Sequence, residues 1–181
     1  MKKRYAIANQ ITGADIKRVR ELLGMTQREF AHLANCAVRT VENWETKEGA
    51  ITGPIVTLVD ILMRRPEIPS KLEIPDNRLK LRLIYMYENT ICTVIDVDES
   101  SREVEIHNYM DKPMFRAFGV NTEPTFEDYE EFIESRCFPR ERDKIKLELK
   151  RLDIPFYDPI MIIEKTEGRM AEDNFWVKIE R

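Results

Sequence analysis

The sequence predicts a multidomain chain: an all-α helical bundle first, then an α+β domain built on an antiparallel sheet with helices. Three observations carry that reading. Apolar residues recur at helical spacing as far as Arg65, prolines cluster at Pro66, Pro69 and Pro75, and the chain then switches to β-branched and aromatic runs. Each proline lacks a donor N–H and pushes its predecessor out of helical geometry, so 66–78 is predicted as a linker between domains at 1–65 and 79–181. With 181 residues and 43% apolar content, the chain can bury two small cores.

The first helix is predicted from a Thr12 cap through Ile16, Val19 and Leu23, and Gly24 supplies the usual left-handed stop. Thr26 and Glu29 have capping-box spacing and open a second helix, in which Phe30, Leu33 and Ala34 share a face. Periodicity breaks at Asn35, a residue type that tolerates positive φ. A third helix follows. Val38, Val41 and Trp44 lie on its buried side, and Arg39, Thr40, Glu42 and Asn43 point away. Thr52-Gly53-Pro54 starts a fourth helix through Ile55, Leu58 and Leu62.

In the second domain, 79–87, 91–98 and 102–109 read as an antiparallel meander separated by turn-like ENT and ESS. Thr125 caps a helix bearing Phe126, Tyr129, Phe132 and Ile133. Pro139 opens another with Ile145, Leu149 and Leu152 on its core side. Asp158-Pro159 opens a short helix through Ile163, and 175–179 forms a last strand.

Net charge is −4, but its distribution is uneven. Residues 1–65 hold 11 Lys and Arg against 7 Asp and Glu, and the remainder holds 18 against 26. A basic front and an acidic back suggest one domain that faces DNA and another that meets something else. No apolar run is long enough to span a bilayer, so no membrane role and a cytoplasmic location are expected. Cys36, Cys92 and Cys137 are odd in number and far apart, which argues for buried thiols rather than a disulfide framework or a zinc site.

A short helix with a polar exposed face, braced by a second helix, fits the major groove of double-stranded DNA. Arg39 can address guanine O6 and N7, Asn43 adenine N6 and N7, and Thr40 a thymine or a phosphate. Gln27 at the start of the bracing helix, and Lys47 just past the third helix, are phosphate candidates, as are Lys2, Lys3 and Arg4 if they form an arm. Arg28, beside Gln27, and Thr52, at the start of the fourth helix, complete the candidate surface together with Ala37, Val38 and Glu42. The competing reading is a plain four-helix bundle with a solvated polar surface.

The stretch TGADIKRVRELLGMTQREFAHLANCAVRTVENWE closely resembles the lambda-repressor-like, XRE-type helix-turn-helix, in the version found in MqsA- and HigA-type antitoxins. The resemblance covers 12–65. It implies a dimer on a palindromic operator, with the helix near Val38 in the major groove and contacts from Gln27, Ala37, Arg39, Thr40 and Asn43. Ala37 stands where a capping Ser is common, Asn35 where Gly is common, and Glu42 where Gln is frequent. A carboxylate at Glu42 can accept from cytosine N4 but repels phosphate.

In the second domain, the acids Glu127, Asp128, Glu130, Glu131 and Glu134 read as a solvated helix face, His107 as a strand residue and Cys92 as core. No phosphate loop, zinc motif or nucleophile elbow is present, so no enzyme, cofactor or metal is expected. Arg136, Arg140 and Arg142 flank a helix junction, either as a site for a partner or an anion or as an internal salt-bridge network. Residues 80–180 also resemble the N-terminal subdomain of HipA-like toxin kinases, without the kinase, which implies a partner-binding module. The expected function is an autoregulating, antitoxin-like repressor that acts as a homodimer with a cognate toxin or kinase-like partner. The alternative is a solitary transcription factor whose second domain dimerises or senses a ligand.

Overall fold

The computed structural model describes residues 5–77, 79–141 and 143–180, so the candidates Lys2, Lys3, Arg4 and Arg142 lie outside the described residues. The chain divides into two compact units, Met1–Glu73 and Ile74–Arg181.

The first unit contains helices α1 (Gly13–Leu22), α2 (Gln27–Leu33), α3 (Val38–Thr46), α4 (Pro54–Arg64) and α5 (Ile68–Leu72). Their boundaries follow local chemistry. In α1 the Thr12 N–H donates to the Asp15 carboxylate at 2.9 Å, and the helix stops before Gly24, whose φ is +67°. In α2 the Glu29 N–H donates to Thr26 Oγ1 at 3.2 Å, while the Thr26 N–H donates back to the Glu29 carboxylate at 2.6 Å. Asn35 takes φ +49° and reverses the chain between α2 and α3. Ile16, Val19, Phe30, Ala31, Val41, Ile55, Val59 and Leu62 form one core. Two expectations need correction here. Ala31 is fully buried beside Phe30, with Leu33 packed half-buried against the same core and Ala34 outside it, and Val38 at the start of α3 is 37% exposed. The expected linker at 66–78 also contains α5, with Pro69 at the start of the helix, where a missing N–H costs no hydrogen bond.

The second unit contains β1 (Leu81–Tyr87), β2 (Thr90–Asp98), β3 (Glu103–Asn108), α6 (Phe126–Ser135), α7 (Ile145–Leu152), α8 (Pro159–Thr166) and β4 (Phe175–Glu180). The sheet is antiparallel in the order β3-β2-β1-β4. Leu83, Ile95 and Val177 meet Tyr129, Phe132, Ile133, Ile162 and Ile163 in its core. Pro139 does not open α7. The chain turns after it, Lys144 adopts a left-handed conformation at φ +65°, and only then does the helix begin. α8 runs past Ile163 to Thr166, where Glu167 at φ +56° and Gly168 at φ +58° end it.

Candidate nucleic-acid interface

One ion-pair hub fixes α3 against the two helices before it. Arg20 of α1 donates from Nε and Nη2 to the two carboxylate oxygens of Glu45 at 2.7 and 3.1 Å, and from Nη1 to the Met25 carbonyl at 2.8 Å. Gln27 of α2 donates from Nε2 to Glu45 at 2.9 Å. The Arg20 and Glu45 side chains are 12% and 6% exposed. Burial alone would raise the Glu45 carboxyl, but the hydrogen bonds from Arg20 and Gln27 outweigh it and hold the group below its ordinary value. Gln27 is thus committed on one N–H to bracing α3, leaving its carbonyl and its second N–H for an outside ligand.

α1 and α3 also meet backbone to backbone. A Cβ at Gly13 would lie 2.3 Å from the Trp44 carbonyl oxygen and 2.9 Å from that of Glu45. Only glycine permits this approach. Gly13→Ala is therefore expected to cost the first unit roughly 1–3 kcal/mol through forced separation of the helices, despite alanine's better helix propensity. Its thermal unfolding, followed by far-ultraviolet circular dichroism, checks this.

The outward face of α3 and its flanks carries Ala37, Val38, Arg39, Glu42, Asn43, Lys47 and Thr52, all exposed, with Thr40 half-buried and Arg28 exposed on α2. The pairing of cations separates this face from the rest of the unit. Between residues 5 and 65, Lys17, Arg18, Arg20, Arg64 and Arg65 each have a carboxylate at 3.9 Å or less. Among the described residues, Arg28, Arg39 and Lys47 have no ion pair or hydrogen bond from their side chains. Ala37 precedes α3 without a side-chain cap, as its residue type requires.

The arginines of the second unit behave differently. Arg136 is 6% exposed. It donates to Asp173 at 2.7 and 3.1 Å, to the Gly168 carbonyl at 2.9 Å and to the Phe175 carbonyl at 2.9 Å. It is an internal pin, in keeping with the salt-bridge alternative rather than with a partner or anion site. Arg140 pairs with Glu134 and lies 4.8 Å over the Tyr157 ring. Three acids of α6 are likewise engaged, Glu127 and Glu130 with Arg102 and Asp128 with the cap at Thr125. Burial pushes the Cys137 thiol up to about 12 and raises that of Cys92. No helix among the described residues is long and apolar enough to cross a membrane.

Sequence reasoning missed Glu45 and Gly13. The dipeptide Trp44-Glu45 was visible as part of the α3 pattern, but nothing local indicates that its carboxylate meets Arg20, which lies on another helix.

Comparison with known proteins agrees with this geometry. The helix-turn-helix family model matches residues 16–59, which span α1 to α4. Antitoxin HigA-2 of Vibrio cholerae serotype O1 is 36% identical over 62 residues, which is 34% of this chain and 60% of that protein. The similar stretch thus covers less than two thirds of this relative and about a third of this chain. Residues 16–59 form a helix-turn-helix of the XRE type, related to that of the HigA antitoxins.

Proposed function

We propose that the protein is a sequence-specific, DNA-binding transcriptional regulator. In this reading it is an autoregulating, antitoxin-like repressor that binds a palindromic operator as a homodimer, while its acidic second unit engages a cognate toxin or kinase-like partner. The observation that carries the reading is the segregation of cations. Arg28, Arg39 and Lys47 stand unpaired on the α2–α3 face, and each of the other Lys and Arg side chains from 5 to 65 has a carboxylate within 3.9 Å. Unpaired cations on one face suit a phosphate backbone, and Arg39, Thr40 and Asn43 between them suit base edges. Gln27 serves as a phosphate contact while Glu45 orients it. The similarity to an antitoxin supports the regulatory role.

Two recognition helices on one duplex must sit about one helical turn apart, roughly 34 Å. A partner that alters the dimer alters that spacing and hence affinity, without touching a base. Mobility shift on the DNA upstream of the coding sequence, with and without the neighbouring gene product, tests both parts. Binding to this DNA in preference to scrambled DNA supports a regulator, and a partner-dependent shift supports the antitoxin role. Identical binding with and without the neighbour removes the antitoxin role.

Arg39→Ala is expected to cost about 1–3 kcal/mol at one base position and to relax specificity there. Lys47→Ala is expected to weaken all sequences alike and to lower the salt slope by about one. Titrations on an operator and on single-base variants at several salt concentrations separate the two. Equal, sequence-blind losses from both substitutions would remove the base-reading role from Arg39.

A further inference from the structure

The two edges of the sheet differ in how their backbone groups are satisfied. At the outer edge of β4 the Phe175 N–H donates to the Asp173 carboxylate at 2.9 Å, and its carbonyl accepts from Arg136 at 2.9 Å. The Val177 N–H donates to the Glu167 carbonyl at 2.8 Å. That edge is capped along its first half. At β3 the Tyr109 N–H donates to the Cys92 carbonyl at 2.9 Å, which sets the alternation of the antiparallel ladder. Glu103, Glu105 and His107 therefore turn their backbone groups toward β2, while Val104, Ile106 and Asn108 turn theirs outward. Among the described residues no hydrogen bond reaches these outward groups. A row of open N–H and C=O groups is a template for another strand.

We propose that β3 is the surface through which two copies of this chain dimerise. The β3 strand of a second copy pairs with it antiparallel about a two-fold axis at Ile106, so that the sheet continues from one copy into the other. Charge selects this register. An axis at Glu105 sets the two Glu105 carboxylates opposite each other, and an axis at Val104 sets Glu103 against Glu105 of the other copy. Like charges directly opposite destabilise a strand pair. An axis at Ile106 instead places each Glu105 opposite His107 of the other copy, where an imidazole N–H can donate to the carboxylate. Both residues are exposed, and the His107 ring packs at a 48° tilt against that of Tyr109 with centroids 4.7 Å apart, which restrains the imidazole. Axes beyond Ile106 shorten the ladder.

This interface gives the homodimer of the proposed function a location, and it rests on that reading only for its purpose. The test reads mass rather than DNA binding. Sedimentation of the full chain at micromolar concentration is expected to give a dimer. H107E brings two carboxylate pairs face to face and is expected to raise the dimer dissociation constant about tenfold or more, with the circular dichroism of the fold unchanged. The double variant E105K with H107E restores opposite charges across the strands and is expected to restore the dimer. A monomeric wild-type chain, an undiminished H107E dimer, or a double variant as weak as H107E each overturns the interface. A monomer that still prefers one DNA sequence would overturn the interface and leave the DNA-binding reading standing.

Discussion

Glu45→Ala is expected to destabilise the first unit by about 3–5 kcal/mol, because it strands the Arg20 guanidinium in a nearly buried position with one of its hydrogen-bonding partners gone. It also frees Gln27 and removes the tie that holds α3 across α1 and α2. Trp44 lies in the first unit and Trp176 in the second, so Trp44 fluorescence in a Trp176→Phe background reports the first unit alone. Because the folded protein holds the Glu45 carboxyl below its ordinary value, this contribution is complete above the usual carboxylate range and is lost as pH falls through the folded value. The wild-type first unit should therefore lose stability on acidification through that window. A variant already lacking Glu45 should lose less. An unchanged unfolding midpoint for Glu45→Ala would show that the hub contributes nothing net.

Arg136→Met is expected to cost the second unit a comparable amount, about 3–5 kcal/mol, because the partners left behind are part-buried as well. Asp173 loses its cation, and the Gly168 and Phe175 carbonyls lose a donor. Methionine fills much of the space, so the loss reports hydrogen bonds and charge more than a cavity. Arg136 donates to the residues that bring the chain from α8 into β4, so β4 should be released first. Trp176 lies in that strand and donates its indole N–H to the Glu88 carbonyl at 2.6 Å, which makes its fluorescence a direct reporter. An Arg136→Met protein whose Trp176 signal melts with the wild type would contradict the pinning role.

Local chemistry carried much of this fold. Thr26 with Glu29 and Thr125 with Asp128 close as capping boxes, Gly24 and Asn35 take left-handed angles, and all four strands fall on the β-branched runs. Each of these depends on residues within about one turn of one another, which is the range over which spacing along a sequence is informative. The misreadings lie at longer range. Arg136 and Asp173 are far apart in the chain, so a sequence shows an arginine at a helix end but not the carboxylate that folds back onto it. The late start of α7 depends on Lys144 adopting a left-handed conformation that lysine rarely prefers. At the candidate DNA face the exposed positions were legible from helical period alone. What was not legible was that the remaining cations of the first unit would find carboxylates, which is what sets Arg28, Arg39 and Lys47 apart.

The two buried clusters, one around Phe30 and Val41 and the other around Tyr129 and Leu83, have no residue in common. A chain organised in this way can be recombined after Glu73 while Phe30 and Val41 keep the same neighbours. Lineages can then exchange whatever follows the DNA reader and leave the reader intact, which fits a likeness to a relative that covers about a third of the chain.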